Sequence, residues 1–341
     1  MATYERGDAR AWARQDMVGI CGCLLPTMTS SLADINEAAI RHDVRLSKEY
    51  GYWGTLLVPE TGTTLEEFRR VIDIAVDEGR NVGLRTMLHT SFPTLDAITD
   101  MVRYAEKAGV DMIMPSYPAT FYPQTEDEVF AFTKAIADAT NLGIMLFTIH
   151  HWNFARLHPS GFSPRLMRRL VDEVPNVVAI KNEIGLPGVG GIGEVFTRFR
   201  DEVVVSDPFE QNAPAWTSAF GMQFLGTANY EYAGPKVAEY FELLRTGKVD
   251  EGMEIYWQIH PARQANISLT AEYMAGSNLI NRLVWKYQGW LTGFNGGPVR
   301  PPAPRISDAQ MRQARSALLA SGIEPAPGDD AEFFIGRNPK D

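Results

Sequence analysis

The chain has 341 residues, of which 45% are hydrophobic and 22% are charged, and its formal net charge is −10. This acidic balance argues against nucleic acid or an anionic membrane surface as a partner, because both attract faces rich in lysine and arginine. The first residues lack the basic start of a secretory signal, and the longest uncharged run, 17–33, is too short and broken for a membrane span, so we expect a cytoplasmic protein.

Short apolar runs alternate with amphipathic stretches between residues 17 and 246. The runs are rich in Val, Ile, Leu and Met, as strands buried on both faces require, and the stretches between them space their apolar residues as helices do. The predicted strands are 19–27, 54–58, 81–88, 111–114, 143–149, 177–181, 202–206 and 223–228. The predicted helices that follow them are 35–46, 65–78, 95–107, 127–139, 163–173, 194–200, 214–220 and 236–246.

Eight strand–helix units without a spare strand favour a closed (β/α)₈ barrel, the TIM barrel, over an open doubly wound α/β sheet. No glycine-rich phosphate loop opens the first helix, which counts against a dinucleotide-binding fold. Beyond Gly247 the pattern is helical, with predicted helices at 249–265, 269–291 and 307–319 and a stiff linker at 296–304. We therefore expect an N-terminal arm over 1–16, a barrel over 17–246, a C-terminal helical extension over 247–322 and a tail over 323–341.

Two helix starts carry a capping-box pattern, in which a threonine is followed three residues later by a glutamate. These are Thr64 with Glu67 and Thr125 with Glu128. In the first predicted strand, Cys21 and Cys23 are the two cysteines of the chain. Their spacing is near the limit for a disulfide, so we expect two buried free thiols in a reducing compartment.

Lys181 ends the apolar run VVAI of the sixth predicted strand. Active sites of (β/α)₈ barrels lie at the carboxyl ends of their strands, and alternation turns this lysine toward the barrel interior. Desolvation disfavours the ammonium form and frees a neutral amine to attack a carbonyl carbon. The alternative is a lysine that only forms an ion pair with a nearby acid, for which Glu60, Glu183 and Asp207 are candidates.

Four segments together resemble the dihydrodipicolinate synthase / N-acetylneuraminate lyase family, which also includes hydratase-aldolases of aromatic degradation. They are VPNVVAIK ending at Lys181, GTLLVPETGTTLEEFRRV at 54–71, AEKAGVDMIMPSYP at 105–118 and GGPVRPP at 296–302. The resemblance runs over about 17–306. It implies a homotetramer of barrels and class I aldolase chemistry, in which Lys181 forms an imine with a 2-keto acid, usually pyruvate, and no other cofactor takes part.

Three departures from the family pattern bear on the substrate. Phe147 stands where the family has its proton-relay tyrosine, and phenylalanine carries no proton, so Tyr117, His150 or His151 is expected to take over unless the histidines only pack or bind substrate. Glu60 replaces the first threonine of the carboxylate-binding turn: it points elsewhere, acts as an acid–base group, or signals a substrate other than pyruvate. Trp152 stands near the place of an expected arginine, which counts against the dicarboxylate semialdehyde of lysine biosynthesis.

The expected site follows from the residues at the strand ends and from the family resemblance. The expected catalytic residues are Lys181, Tyr117, His150 and Glu60. The expected substrate-binding residues are Thr61, Gly62, Phe147, Trp152, Glu183, Asp207, Thr227 and Asn229. Aromatic residues are frequent in and beside the strand-end loops: Trp53, Tyr117, Phe121, Tyr122, Phe147, Trp152, Trp216, Tyr230 and Tyr232. As a group they favour an aromatic or bulky hydrophobic aldehyde as the partner of the keto acid, although each of them could simply pack in the core.

Two other functions remain open at this point. Glu60, His89, His150 and Asp207 fall at four strand ends and would suit a divalent metal, but no short His-Xaa-His signature supports a metal enzyme, and we assign no metal ligands. The missing tyrosine also allows a barrel that binds a keto acid without turnover. The retained lysine argues against that, because a buried lysine is costly to keep for binding alone.

Overall fold

The computed structural model describes residues 4–184, 189–277 and 279–339. Eight parallel strands lie in one sheet in the order β7-β6-β5-β4-β3-β2-β1-β8 and form a TIM barrel, which confirms the predicted fold class. The strands are β1 Gly19–Leu24, β2 Gly54–Leu57, β3 Arg85–His89, β4 Met112–Met114, β5 Gly143–Ile149, β6 Val177–Glu183, β7 Val204–Ser206 and β8 Phe224–Gly226.

Helices alternate with the strands, and further helices follow the last strand. They are α1 Ala9–Asp16, α2 Glu37–Glu49, α3 Leu65–Val82, α4 Leu95–Ala108, α5 Glu126–Asp138, α6 Pro164–Glu173, α7 Val189–Phe199, α8 Ala213–Phe220, α9 Lys236–Arg245, α10 Val249–Gln258, α11 His260–Ser277, α12 Arg282–Leu291, α13 Asp308–Ala320 and α14 Asp330–Phe333. None of the helices in the described ranges combines the length and the apolar character that crossing a membrane requires.

The chain divides into two compact units. The first unit comprises Met1–Cys21 and Arg85–Thr227, and the second comprises Gly22–Leu84 and Ala228–Asp341. In the first unit, β6 pairs with β5 and β7 in parallel, with Lys181 opposite Phe147 on one side and opposite Ser206 on the other. Because β6 has a strand on each side, the backbone that carries Lys181 is held firmly in position.

The second unit has its own apolar core among the C-terminal helices. Its buried members are Leu269, Val284, Tyr287, Trp290, Leu291, Met311, Ala314, Leu318 and Phe333. Phe333 comes from the tail and is fully buried, with its ring against those of Tyr287 and Trp290 at centroid distances of 5.1 and 6.3 Å. This part of the tail is therefore docked on the extension.

Several predicted element boundaries were wrong. The strand predicted over 81–88 begins later, because α3 continues to Val82 and ends at Gly83, whose φ of +74° suits a left-handed helix cap. The helix predicted over 194–200 is instead α7, which begins at Val189. The helices predicted over 249–265 and 269–291 are three helices, α10 to α12, with breaks near Ile259 and before Arg282.

The predicted capping boxes and cysteines also have clear outcomes. Thr64 accepts the backbone N–H of Glu67, whose carboxylate accepts the N–H of Thr64, so the first box is complete. Thr125 caps α5 by accepting from Glu128, but the Glu128 carboxylate accepts from Gln124 instead, so the second box is half formed. Both cysteines are free as expected, although Cys23 is only partly buried.

Candidate active site

Lys181 lies in the first unit, near the carboxyl end of β6, and is only 4% exposed. Its Nζ forms an ion pair with Glu183 Oε1 at 3.0 Å and donates a hydrogen bond to Thr227 Oγ1 at 3.3 Å. The ring of Phe147 lies beside Nζ, with its centroid 3.9 Å away. Three expected site residues thus surround the amine. Of the three acids considered as ion-pair partners of Lys181, Glu183 makes the contact.

Phe147 and Trp152 form an apolar wall next to Lys181. Trp152 lies in a short 3₁₀ turn directly after β5, and its indole N–H donates to the carbonyl oxygen of Phe147 at 2.8 Å. The two rings meet edge to face, with centroids 5.4 Å apart. Both side chains are partly exposed, so this wall can contact a bound molecule.

Tyr117 is buried, and its hydroxyl lies 2.6 Å from Thr133 Oγ1. Because the Thr133 hydroxyl donates its own proton to Val129 O at 2.8 Å, Tyr117 is the donor in this pair. Burial raises the pKa of Tyr117 above its ordinary value, and the bond to Thr133 opposes that rise only in part. These contacts describe a packed hydroxyl whose proton is already committed.

The two histidines after β5 differ in their surroundings. His150 is exposed, whereas His151 is partly buried, and their rings lie 4.1 Å apart. Burial lowers the pKa of His151 to about 4, and the charges of His150 and Lys181 act in the same direction. His151 is therefore neutral at pH 7 and lies within the electrostatic reach of Lys181, a feature that the sequence did not distinguish.

Asp207 follows β7 and is fully buried. Its carboxylate accepts hydrogen bonds from the backbone of Phe209 at 2.9 Å, from Asn212 at 2.8 Å and from the indole of Trp216 at 2.7 Å. Burial raises its pKa to about 6, against the effect of these three donors. In the described chain, Asp207 thus anchors the loop that leads into α8.

Glu60 lies in the second unit and is paired with Arg282. The Nε of Arg282 donates to Glu60 Oε2 at 2.8 Å, and a second guanidinium nitrogen contacts the same oxygen. The Arg282 guanidinium also lies over the ring of Trp285, 4.5 Å from its centroid. Sequence reasoning missed Arg282, because 222 positions separate it from Glu60.

The turn after β2 presents a buried hydroxyl. Thr61 is fully buried, and its Oγ1 has no hydrogen-bond partner among the residues that the structure describes. Gly62 has a φ of +83°, and a Cβ at this position would stand 2.5 Å from Arg300 Cβ. This turn therefore requires glycine and holds Thr61 in a fixed position.

The remaining expected residue, Asn229, also belongs to the second unit. Its amide donates to Gln288 Oε1 at 2.7 Å and to Asn266 Oδ1 at 3.1 Å. Both donors of this amide are thus bonded to side chains of the C-terminal helices.

The aromatic residues that the sequence grouped together fall into separate sets. Tyr117, Phe121 and Trp152 belong to one cluster with Phe132 and Phe154 in the first unit. Trp216 packs elsewhere, against Phe196 and Phe220, and Tyr122 is exposed beneath the guanidinium of Arg156. Trp53, Tyr230 and Tyr232 lie in the second unit. Only part of the group therefore lines the wall beside Lys181.

The residues considered for a metal site were Glu60, His89, His150 and Asp207. Within 4–184, 189–277 and 279–339, no three or more His, Cys, Asp or Glu residues are arranged so that they could hold a metal ion. Glu60 is paired with Arg282, and Asp207 accepts from three nitrogen donors. The geometry therefore gives no support to the metal-dependent alternative.

The fold and the site define a (β/α)₈ barrel with a buried lysine at a strand end, beside a carboxylate and an aromatic ring. A sequence model of the dihydrodipicolinate synthetase family matches residues 61–320, and the chain belongs to this family. Enzymes of this family are lyases that make or break carbon–carbon bonds through a lysine Schiff base without an external cofactor. The chain is accordingly a lyase of the pyruvate-dependent, Schiff-base type.

Named relatives agree with this assignment. A 4-hydroxy-tetrahydrodipicolinate synthase of Methanopyrus kandleri is 26% identical over 91% of this chain and 98% of its own length. A DapA-like lyase of Pyrobaculum arsenaticum, described as uncharacterized, is 22% identical over 89% of this chain and 98% of its own.

Solved structures share the fold. A putative dihydrodipicolinate synthetase from Pseudomonas aeruginosa superposes with a TM-score of 0.74 at 16% identity, covering 89% of this chain and 99% of its own. The N-acetylneuraminate lyase of Fusobacterium nucleatum gives 0.67 at 19% identity, with 89% and 98% covered. At these identities the likeness shows the fold alone.

Proposed function

We propose that the enzyme makes or breaks a bond between a 2-keto acid of the pyruvate type and an aromatic or bulky hydrophobic aldehyde, as an aldolase or hydratase-aldolase. Lys181 is the nucleophile and carries the imine. The observation that carries this proposal is the setting of Lys181 Nζ, buried between Glu183, Thr227 and the ring of Phe147. A buried amine with an apolar face beside it suits a carbonyl substrate with a flat, apolar substituent.

Support for the aldehyde class comes from the wall formed by Phe147 and Trp152. The indole N–H of Trp152 is already bonded to the Phe147 carbonyl, so the ring offers an apolar surface rather than a polar contact. A dicarboxylate semialdehyde would need a cation in this place. The competing candidate is the 4-hydroxy-tetrahydrodipicolinate synthase activity for which several relatives are named. The aldehyde that the enzyme accepts distinguishes the two candidates.

Thr61 is proposed to bind the keto-acid carboxylate, since its buried hydroxyl has no partner among the described residues and its turn is held by Gly62. The pairing of Glu60 with Arg282 offsets the negative charge that would otherwise repel a carboxylate. Asp207 and Asn229 are not proposed to contact the substrate, because the Asp207 carboxylate and the Asn229 amide N–H groups are already hydrogen-bonded to other groups of the chain. His150 remains a proposed proton carrier. Tyr117 and Glu60 are not proposed for that role, because Tyr117 is hydrogen-bonded to Thr133 and Glu60 is paired with Arg282.

The test compares aldehydes in a pyruvate condensation assay, using benzaldehyde-type and short aliphatic acceptors alongside a dicarboxylate semialdehyde. We expect the aromatic acceptors to give the highest kcat/KM. Trp152→Leu should lower kcat/KM for the aromatic acceptors by about 2- to 10-fold, the worth of an aromatic contact, and leave the aliphatic ones nearly unchanged. Trp257→Leu, at a tryptophan of α10 that is 61% exposed, is the matched control. Preference for the semialdehyde would contradict the proposed substrate class.

A further inference from the structure

Glu183 stands two residues after Lys181 on the same strand, so both side chains leave β6 on the same face. Its Oε1 lies 3.0 Å from Nζ, within hydrogen-bond distance, and the two side chains are only 5% and 11% exposed. The contact is thus built into one rigid element and largely shielded from water. Because β5 and β7 hold that element on both sides, the distance does not depend on a mobile loop.

Two other groups among the described residues lie against Nζ, and neither can accept a proton from it. The ring of Phe147 has no acid–base group. Thr227 accepts a hydrogen bond from Nζ and directs its own hydroxyl toward Met114 Sδ at 3.7 Å, and an alcohol is not a base at neutral pH. Of these three neighbours, only the carboxylate of Glu183 can take a proton from an ammonium and give it back.

We propose that Glu183 is the acid–base residue of imine formation and the counter-ion of the protonated imine, a catalytic role that rests on the proposed function of Lys181. The ammonium of Lys181 passes one proton to Glu183. The neutral amine adds to C2 of the keto acid, the carbonyl electron pair moves onto oxygen, and a second nitrogen proton moves to that oxygen. Glu183 then protonates the C2 hydroxyl, which leaves as water while the nitrogen lone pair forms the C=N bond.

At the end of these steps the nitrogen keeps one proton, the imine carries one positive charge, and Glu183 is again a carboxylate. A buried cation without a counter-charge is costly, so the carboxylate stabilises the iminium as it formerly stabilised the ammonium. The face of Phe147 contributes in the same direction, because an aromatic face attracts a cation. Phenylalanine at position 147 is therefore compatible with catalysis, because Glu183 on β6 carries out the proton transfers at the imine nitrogen.

The test measures how fast the imine forms, by rapid-quench borohydride trapping of saturating pyruvate across a range of pH. We expect Glu183→Gln to lower the trapping rate by about 100-fold, as is typical for loss of a general acid–base group, and to change the shape of its pH dependence. The apparent Kd for pyruvate should change much less. Glu194→Gln, which removes a surface ion pair with Arg198, is the matched control and should trap at the wild-type rate.

Each result decides one point. Trapping by Glu183→Gln at the wild-type rate and pH dependence overturns the role of Glu183 while leaving Lys181 as the nucleophile. If that variant does not fold, Glu183→Asp replaces it. Its carboxylate is withdrawn by one methylene, so we expect slower trapping, and an unchanged rate and pH profile would overturn the proposal. A wild-type protein that is never trapped contradicts the proposed function itself.

Discussion

The hydroxyl of Tyr117 shows how a neighbour decides the chemistry of a single residue. A tyrosine at a strand end of a barrel is a reasonable proton carrier, and the sequence predicted it as one. The packing of α5 brings Thr133 to its hydroxyl, and the pair is buried among Phe121, Trp152 and Phe154. No spacing rule could have foretold this contact, because it depends on how a helix packs against a loop.

Tyr117→Phe should therefore leave catalysis nearly intact and reduce stability. Loss of one buried hydrogen bond costs about 1 kcal/mol of unfolding free energy, while the aromatic contacts of the ring remain. Steady-state kinetics and urea unfolding measure the two effects separately. A fall in kcat of about 100-fold or more in a stable variant would instead restore Tyr117 as a proton carrier.

The position of Glu183 beside Lys181, unlike the contact of Tyr117, could be predicted from the sequence. Alternation along a strand already puts positions 181 and 183 on one face, and Glu183 was among the acids considered as an ion-pair partner. The choice among Glu60, Glu183 and Asp207 needed the structure. Glu60 is paired with Arg282, and Asp207 is held by Trp216 and two other donors.

At the level of elements, the start of α3 was predicted from a purely local signal. Thr64 and Glu67 lie three residues apart, so a capping box depends on nearby atoms alone. The division between α10 and α11 was missed although Pro261, at the second position of α11, marks a helix start. The cap of α12 by Asn281, which accepts from Leu283 and Val284, was a similar signal that periodicity obscured.

The turn after β2 gives a test of backbone geometry. Gly62 and Gly51 have nearly equal φ values of +83° and +80°, but a Cβ at Gly62 meets Arg300 Cβ at 2.5 Å, whereas one at Gly51 has nothing nearer than 3.9 Å. Gly51→Ala should cost about 1 kcal/mol for the left-handed backbone. Gly62→Ala should cost about 1–3 kcal/mol more for the overlap. Equal losses in chemical unfolding would show that this close approach does not constrain the turn.

On the scale of the whole molecule, the repeated strand–helix pattern was sufficient to predict the barrel. Its period is a property of the entire chain and survives errors at individual boundaries. The division into arm, barrel, extension and tail stays a prediction, as does the homotetramer. The buried charges of the second unit were not foreseen, since Asp43, Glu231 and Lys286 are far apart in sequence.

These buried charges predict how stability depends on pH. Burial raises the pKa of Glu231 from 4.5 to about 7, so the folded chain holds this proton more tightly than the unfolded chain does. The stability that results is present below about pH 4.5 and is lost as the pH rises toward 7. Relative to Glu231→Gln, the wild type should lose about 1–3 kcal/mol between these limits in urea unfolding.

Glu239→Gln, which alters a surface ion pair with Lys236, serves as the control for that comparison. A stability difference between the wild type and Glu231→Gln that is independent of pH would mean that Glu231 ionises as it does in the unfolded chain. The hydrogen bond that Glu231 accepts from the Cys23 N–H at 3.1 Å would then offset the effect of burial on the pKa of Glu231.

Borohydride reduction in the presence of pyruvate, followed by peptide mass mapping, shows whether Lys181 forms the imine. Lys286 is the natural competitor, because burial lowers its pKa to about 8, but its Nζ is bonded to Leu25 O and Thr27 Oγ1. We predict that reduced pyruvate is found on Lys181 and that Lys181→Arg abolishes the adduct. An adduct on Lys286, or no adduct with pyruvate or any other 2-keto acid, would show that Lys181 is not the Schiff-base lysine.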